Sequence, residues 1–269
     1  MKHLALIVLS LTLVTSKSFG QELEGTKALS MGGAFRGLAD DHGAIDYNPA
    51  GIKQAAVYSL EFLYENAHSP DSQTFRGSII DTLTLPQLGM GFSFSHEEND
   101  FVQQKIQLAL AGKISFAYVG TTLRHVSLRN QASAWTNDVG LLVKPLDRWL
   151  SMGLVGHNFA KVDKIPDFPR QYALGLSSQL SDKLHLTGDL IWEPESISKR
   201  EINEGIGLEF LLSPTFPIRM GYLWDEIHFQ RFFTAGFGWM APRFVLQYGM
   251  QLETDSNHLI HSLCLSVPL

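Results

Sequence analysis

Two histidines of this sequence have polar neighbours of the types used in catalysis. His185 and Asp189 are four residues apart, in a run whose alternation predicts a strand. Four residues along a strand span about 13 Å, too far for the direct hydrogen bond that a general base needs. His157 and Asn158 are adjacent and would point to opposite faces of a strand. No Gly-x-Ser-x-Gly string occurs, so the sequence favours a protein that is not an enzyme.

A glycine pair and a single cysteine are the other candidates for chemistry. Gly32-Gly33 lacks the spacing of nucleotide-binding loops and follows no predicted strand, which disfavours a phosphate site. Cys264 lies in an alternating run, where a small side chain usually fills space and does not act as a nucleophile or metal ligand. One cysteine cannot form an internal disulfide. We therefore expect no catalytic residue, no cofactor and no metal.

The composition excludes several classes of protein. The chain has 269 residues, of which 45% are hydrophobic and 18% charged, with 23 Gly and 11 Pro. It is therefore neither disordered nor collagen-like. A formal net charge of −6 argues against nucleic-acid binding, which needs a basic face. The charged fraction is low, because an average soluble domain holds about a quarter.

The start of the chain predicts export. Met1-Lys2-His3 is a short basic start, residues 4–14 are apolar, and Ser18-Phe19-Gly20 offers small residues where a signal peptidase cuts. We expect a cleaved signal peptide over residues 1–20, followed by Gln21. No later stretch reaches the roughly 18 apolar residues of a transmembrane helix. If this exported protein is in a membrane, it must therefore be a barrel.

From about residue 56 onward the hydrophobic pattern has a period of two residues, which predicts β-strands. One such run alternates small or polar residues with Phe244, Leu246, Tyr248, Met250 and Leu252. There are 14 such runs, joined by tight turns that alternate with longer polar connections, such as residues 66–71. Outer-membrane barrels have long loops on one rim and short turns on the other. We predict an all-β fold, a barrel of about 14 antiparallel transmembrane strands over residues 54–269; the alternative is a soluble β protein of the periplasm.

The segment before the predicted barrel, residues 21–53, does not alternate and is rich in Gly and Ala. Small side chains permit the close backbone approach that a segment threaded through a narrow lumen requires. We interpret it as an N-terminal hatch. We hypothesise that Asn48 and the pair Asp40 and Asp41 attach it to the wall, because buried backbone needs hydrogen-bond partners. The residues assigned to this structural motif are Met31, Gly32, Gly33, Asp40, Asp41, Asn48 and Pro49.

A set of polar side chains in the predicted strands and their ends would point into the lumen. These residues are Asp138, Lys144, His185, Asp189, Glu209 and Arg219. They would either form a solvated, mutually paired interior or set the selectivity of a narrow path. The sequence leaves both interpretations open.

Several strings of residues resemble a known group of barrels. The FadL-type transporters of hydrophobic compounds and their PorV/PorQ relatives share an N-terminal signature. Three strings of this chain resemble it: Ser30-Met31-Gly32-Gly33-Ala34-Phe35, Ala39-Asp40-Asp41 and Asn48-Pro49-Ala50-Gly51. Later strings look closer to the PorV/PorQ family, at residues 137–142, 151–154 and 169–176. The resemblance covers most of the chain after residue 20. It implies a 14-stranded barrel with a hatch.

The functions implied by the resemblance are divided. FadL-type proteins pass fatty acids and other hydrophobic molecules, whereas PorV and PorQ serve the type IX secretion system. We expect passage of fatty-acid-like hydrophobic small molecules, with Met31, Phe35 and Leu38 as ligand contacts. The alternative is a PorV/PorQ-like secretion component or a scaffolding barrel without transport. The expected location is the outer membrane of a Gram-negative-type bacterium, and the expected partners are outer-membrane lipid, a hydrophobic small molecule or a secretion-system protein, with no nucleic acid.

Overall fold

The computed structural model describes residues 25–54, 56–68, 71–98, 102–128, 133–160, 169–194, 201–256 and 258–269. The predicted signal peptide over residues 1–20 and the first residues of the predicted hatch lie outside these ranges. Three short helical elements come first: α1 (Thr26–Leu29), α2 (Ala44–Tyr47) and a 3₁₀ helix (Pro49–Gln54). No helix in the described ranges is long and apolar enough to cross a membrane.

Strands form the rest of the fold, and each is antiparallel to the strands beside it. They are β1 (Tyr58–His68), β2 (Asp71–Asp81), β3 (Leu88–Glu98), β4 (Val102–Ile114), β5 (Ala117–Leu128), β6 (Ser133–Val143), β7 (Ser151–His157), β8 (Gln171–Gln179), β9 (Leu184–Trp192), β10 (Ile202–Ser213), β11 (Phe216–Asp225), β12 (Gln230–Ala241), β13 (Phe244–Glu253) and β14 (Leu259–Pro268). One predicted loop, 66–71, is shorter than expected, because pairing of β1 with β2 continues to their ends at His68 and Asp71.

The strands close into a barrel. Each strand pairs with the next in sequence, and β1 also pairs with β14, so that Ser59 lies opposite Pro268. The predicted fold class, a 14-stranded antiparallel all-β barrel, is confirmed. We call the rim where β1 begins and β14 ends the near rim, and the opposite one the far rim. The far rim carries the two longest connections, 158–170 and 193–201.

The outside of the barrel is apolar and the inside is polar. On β4, Ile106 and Leu108 are 38% and 54% exposed, whereas Gln107 between them is 1% exposed. A soluble protein has the opposite arrangement, because water favours polar side chains on the surface. An outward apolar band is what a barrel needs to contact lipid.

Leu108→Arg is expected to destabilise the barrel in a bilayer by about 2–4 kcal/mol, because Leu108 lies in the middle of β4 and faces outward, where hydrocarbon would surround the new charge. Denaturant unfolding of the protein in lipid vesicles measures this loss. The matched control is Leu83→Arg, since Leu83 is also 54% exposed but lies between β2 and β3 at the near rim. Equal losses in the two variants would contradict a lipid-facing β4.

Candidate functional site

Residues 26–54, which we call the internal segment, lie inside the barrel. α1 packs against β12, β13 and β14, and the 3₁₀ helix packs against β3, β4, β5 and β6. Between these two elements, the backbone of Phe35 is hydrogen-bonded to β9. Because the barrel is closed, a segment that touches strands on every side occupies the lumen.

An apolar cluster lies at the centre of the internal segment. Met31 and Phe35 are 0% exposed, and Leu38 is 7% exposed. The ring of Tyr47 meets the ring of Phe35 edge-on, with 5.6 Å between their centroids. Met31, Phe35 and Leu38 are the predicted ligand contacts. Since Met31 and Phe35 have no accessible surface, a ligand reaches them only if the internal segment moves.

The two glycines of the predicted motif shape the end of α1. Gly32 and Gly33 have φ angles of +64° and +68°, a left-handed conformation that glycine adopts without strain. The Gly32 N–H donates to Oγ1 of Thr234 on β12 at 2.9 Å. The Gly33 N–H donates to the carbonyl oxygen of Ala28 at 3.0 Å. The turn therefore ends α1 and also bonds to the wall.

Asp189 on β9 is a strong attachment between the internal segment and the wall. Its Oδ2 accepts hydrogen bonds from the backbone N–H groups of Phe35 and Arg36, both at 3.0 Å. The same oxygen lies 3.2 Å from Nη1 of Arg36 in an ion pair, and the Asp189 side chain is fully buried. Charge-assisted bonds are about twice as strong as neutral ones, so one carboxylate holds two consecutive residues.

Arg36 is a second residue that attaches the internal segment to the wall, and the sequence reasoning missed it. Its Nε donates to Nε2 of His157 on β7 at 3.3 Å. Its guanidinium group also lies 5.1 Å from the ring centroid of Tyr47. A buried cation needs such partners, because an unpaired charge in the interior is costly. One signal was present in the sequence: Arg36 is the only arginine between residues 21 and 53.

Asn48 bonds both to the wall and within the internal segment. Its Nδ2 donates to the Leu141 carbonyl oxygen of β6 at 3.3 Å and to the Arg36 carbonyl oxygen at 2.9 Å. Its Oδ1 accepts from the Ala50 N–H at 3.2 Å, which caps the turn at Pro49 where the 3₁₀ helix begins. Asn48 is fully buried, and these contacts satisfy its amide.

Among the described residues, the side chains of Asp40 and Asp41 hydrogen-bond within the internal segment and not to the wall, unlike the hypothesis from the sequence. Asp40 accepts from Nζ of Lys27, and Asp41 accepts from the Gly43 N–H, both at 2.8 Å. The reason is electrostatic. Burial, and then the negative charge of Glu61 on β1, raise the pKa of Asp41 to about 6. The Glu61 carboxylate on the wall therefore repels Asp41, although the Arg76 guanidinium on β2 attracts it.

Asp41→Asn is expected to raise the thermal midpoint at pH 8, with a gain that shrinks as the pH falls from 6 toward 4. The carboxyl has its usual pKa of 3.8 when unfolded and about 6 when folded, so the folded state is penalised as the pH rises through this range. Asn keeps an acceptor for the Gly43 N–H and cannot ionise. Thermal unfolding in detergent across this pH range measures the gain. A gain that does not vary with pH would contradict the account.

His42 connects the internal segment to the first two strands. Its ring nitrogens are each 2.8 Å from a serine hydroxyl, Ser78 Oγ on β2 and Ser59 Oγ on β1. Burial, and then the positive charge of Arg76, lower the pKa of His42 to about 4. The imidazole is therefore neutral at neutral pH, and it donates to one serine and accepts from the other.

The remaining polar residues predicted for the lumen have close partners. One of them, Lys144, lies at a different position from the one predicted. Three contacts of 2.6 Å join Arg124 Nη2 to Asp138, Arg219 Nε to Glu209 and Ser177 Oγ to His185. Lys144 is not on the wall: β6 ends at Val143, and Nζ of Lys144 lies 5.8 Å from the ring of Tyr118 at the near rim. Within the described ranges, no group of three or more His, Cys, Asp or Glu residues could hold a metal ion.

No known sequence family and no curated protein matches the chain. Solved structures match over most of its length. CymD, a monoaromatic hydrocarbon channel, superposes with a TM-score of 0.68 at 13% identity, over 92% of this chain and 98% of CymD. The toluene transporter TodX of Pseudomonas putida gives 0.64 at 11% identity, over 90% and 96%. A FadL homologue of Pseudomonas aeruginosa gives 0.62 at 11% identity, over 90% and 98%.

The chain therefore has the fold of these channel and transport proteins. This supports the FadL-type side of the resemblance at the level of fold. Identities of 11–13% do not carry the neighbours' substrates over to this chain. The resemblance to the PorV/PorQ family stays a prediction.

Proposed function

We propose that this protein is an outer-membrane barrel that passes hydrophobic small molecules, with the internal segment as its hatch. The observation that carries the proposal is the segment itself, an apolar cluster around Met31 and Phe35 held inside a polar lumen. Structures named as a hydrocarbon channel and a toluene transporter share the fold, which supports this choice of cargo.

The location follows from the surface and from the start of the chain. Lipid is the medium that suits the apolar outer face, and the predicted signal peptide supplies export. Because β1 begins and β14 ends on the near rim, the near rim faces the periplasm and the far rim faces outward. Molecules then arrive at the far rim, where the connections are longest.

The structure corresponds to a closed state in this account. Asp189, Asn48 and Thr234 hold the internal segment against the wall, and its apolar cluster has no accessible surface. Passage requires the hydrogen bonds between the internal segment and the wall to break and form again. The pairing of the strands keeps the barrel wall intact meanwhile. A segment held by a few polar side-chain contacts can move without disrupting the sheet, whose hydrogen bonds are between strands.

Uptake in whole cells tests the proposal. A host strain that lacks its own channels for hydrophobic compounds is given the full-length gene or an empty vector, and the initial uptake of radiolabelled decanol is measured. We expect faster uptake with the gene, and a band of the protein in the outer-membrane fraction that shifts on heating. Uptake equal to that of the empty vector, with the protein correctly placed in the outer membrane, would overturn the proposal.

One observation favours a second candidate, a PorV/PorQ-like secretion component or a scaffolding barrel. The complete burial of Met31 and Phe35 is also what a barrel without transport would show. In that case the protein would give no uptake and would be recovered from membranes together with large secretion proteins. Gentle detergent extraction followed by identification of bound proteins separates the two candidates.

A further inference from the structure

Five cations of the interior are paired with carboxylates. Five Lys or Arg side chains of the internal segment and the wall lie within 2.6 to 3.2 Å of a carboxylate oxygen. These pairs are Lys27–Asp40, Arg36–Asp189, Arg76–Asp46, Arg124–Asp138 and Arg219–Glu209. A carboxylate that takes its counter-charge from one of these five cations must displace the protein carboxylate that is already there.

Such an exchange is unfavourable because it leaves a buried protein carboxylate without its cation. Asp138 and Asp189 have fully buried side chains, so neither can turn to water when its arginine is taken. Removing one partner of a buried ion pair is strongly destabilising, because the remaining charge stays desolvated. A neutral molecule requires no exchange of partners.

The far rim adds a second barrier to negatively charged molecules. Glu193, Asp225 and Glu253 lie at or just beyond the far-rim ends of β9, β11 and β13 and are 7%, 1% and 7% exposed. In the described part of the chain, none of the three is paired with Lys or Arg. The basic groups within 4 Å are His228, 2.9 Å from Asp225, and His258, 3.7 Å from Glu253.

A buried acceptor without a partner lies beside these carboxylates. Gln251 occupies the inward position next to Glu253 on β13 and is 3% exposed, and its Oε1 accepts no hydrogen bond within the described residues. Leu223 and Phe232 lie level with Glu253 on the two preceding strands. The far-rim mouth therefore combines apolar side chains with acceptors, which suits an apolar molecule whose polar end donates hydrogen bonds.

We infer that the passage discriminates by charge: it admits neutral or cationic apolar molecules and rejects carboxylates, including fatty acids. The inference rests on the proposed function and names its substrate class. The buried carboxylates at the far rim repel an anion on arrival, and the five paired cations of the lumen offer it a counter-charge only by exchange of partners. A hydroxyl or ammonium group can instead donate a hydrogen bond to the acceptors of the far-rim mouth.

Three probes with the same alkyl chain test the inference: decanol, decylamine and decanoate, supplied at non-lytic concentration to cells that express the full-length protein. We expect decanoate uptake above the empty vector to be slower than decanol uptake by at least about tenfold, equivalent to about 1.4 kcal/mol. Decylamine uptake is expected to equal or exceed decanol uptake. The triple variant Glu193→Gln, Asp225→Asn and Glu253→Gln should bring the ratio of decanol to decanoate uptake closer to one.

A matched control is Glu204→Gln, because Glu204 is near the far-rim end of β10 but is exposed on the outward face. It should leave the ratio unchanged. Decanoate uptake as fast as decanol uptake in the wild-type protein would overturn the inference while the proposed function stands. Uptake of all three probes at the empty-vector level, with the barrel folded by its heat-modifiable band, would overturn the proposed function and the inference with it.

Discussion

Replacement of Asp189 by Ala is expected to release the internal segment from the wall. The variant removes the acceptor of two backbone N–H groups and leaves the guanidinium of Arg36 buried without its carboxylate. Removal of one partner from a buried ion pair costs about 3–5 kcal/mol. Because the strand pairing of β9 with β8 and β10 is made by backbone atoms, the barrel itself is expected to remain folded.

Limited proteolysis in detergent measures this release, since a freed internal segment becomes a substrate for added protease while the barrel stays resistant. Asp189→Asn should give a smaller effect, because its amide oxygen still accepts from the backbone of Phe35 and Arg36. The control is Asp182→Ala, which removes an exposed ion pair with Arg148 that is worth about 0–1 kcal/mol. Equal resistance of the wild type and Asp189→Ala would show that Asp189 does not hold the segment.

Gly32→Ala is expected to have the second largest effect, because both the backbone conformation and the close neighbours of Gly32 exclude a side chain. The φ angle of +64° is strained for any residue with a Cβ, at a cost of about 1–3 kcal/mol. A Cβ on Gly32 would also lie 2.6 Å from the carbonyl oxygen of Tyr222 and 2.7 Å from that of Ile206. These atoms belong to paired strands and cannot move aside easily, so α1 must shift and lose the bond to Thr234.

The same proteolysis measurement and a thermal unfolding curve test Gly32→Ala. A matched control is Gly77→Ala on β2, where an added Cβ has no heavy atom within 4 Å. We expect early cleavage of the internal segment in Gly32→Ala and no change in Gly77→Ala. If the two variants behaved alike, the close approach of Gly32 to β10 and β11 would not be important for seating the segment.

The barrel could be predicted from the sequence because its signal is local. Alternation along Phe244 to Leu252 is visible within one strand, and fourteen such runs fix the strand number without knowledge of their neighbours. The inward direction of Asp189 and Arg219 followed from the same alternation. Where a run ended, as at Val143 before Lys144, the pattern could not distinguish a last wall residue from the first residue of a turn.

The contacts of the internal segment could not be predicted in this way, because they join residues far apart in the sequence. Arg36 and Asp189 are 153 residues apart, and Thr26 and Ser262 are 236 residues apart. Composition indicated that the segment would be tightly enclosed, but it did not indicate which polar residue would meet which strand. The Asp pair was assigned to the wall for this reason, although Asp40 bonds to Lys27 and Asp41 to Gly43.

The most direct test of the central claim, that the internal segment closes a passage for apolar molecules, is a reversible covalent lock. Thr26 Oγ1 on α1 and Ser262 Oγ on β14 are 2.7 Å apart and buried, so the two side chains already meet, and cysteines at these positions are the choice for a disulfide. The variant carries Thr26→Cys and Ser262→Cys, with Cys264→Ser to prevent mispairing. Thr26→Cys with Cys264→Ser is its control. We predict decanol uptake at the empty-vector level when the variant is oxidised and wild-type uptake after reduction. Equal uptake in the oxidised and reduced forms would contradict the account.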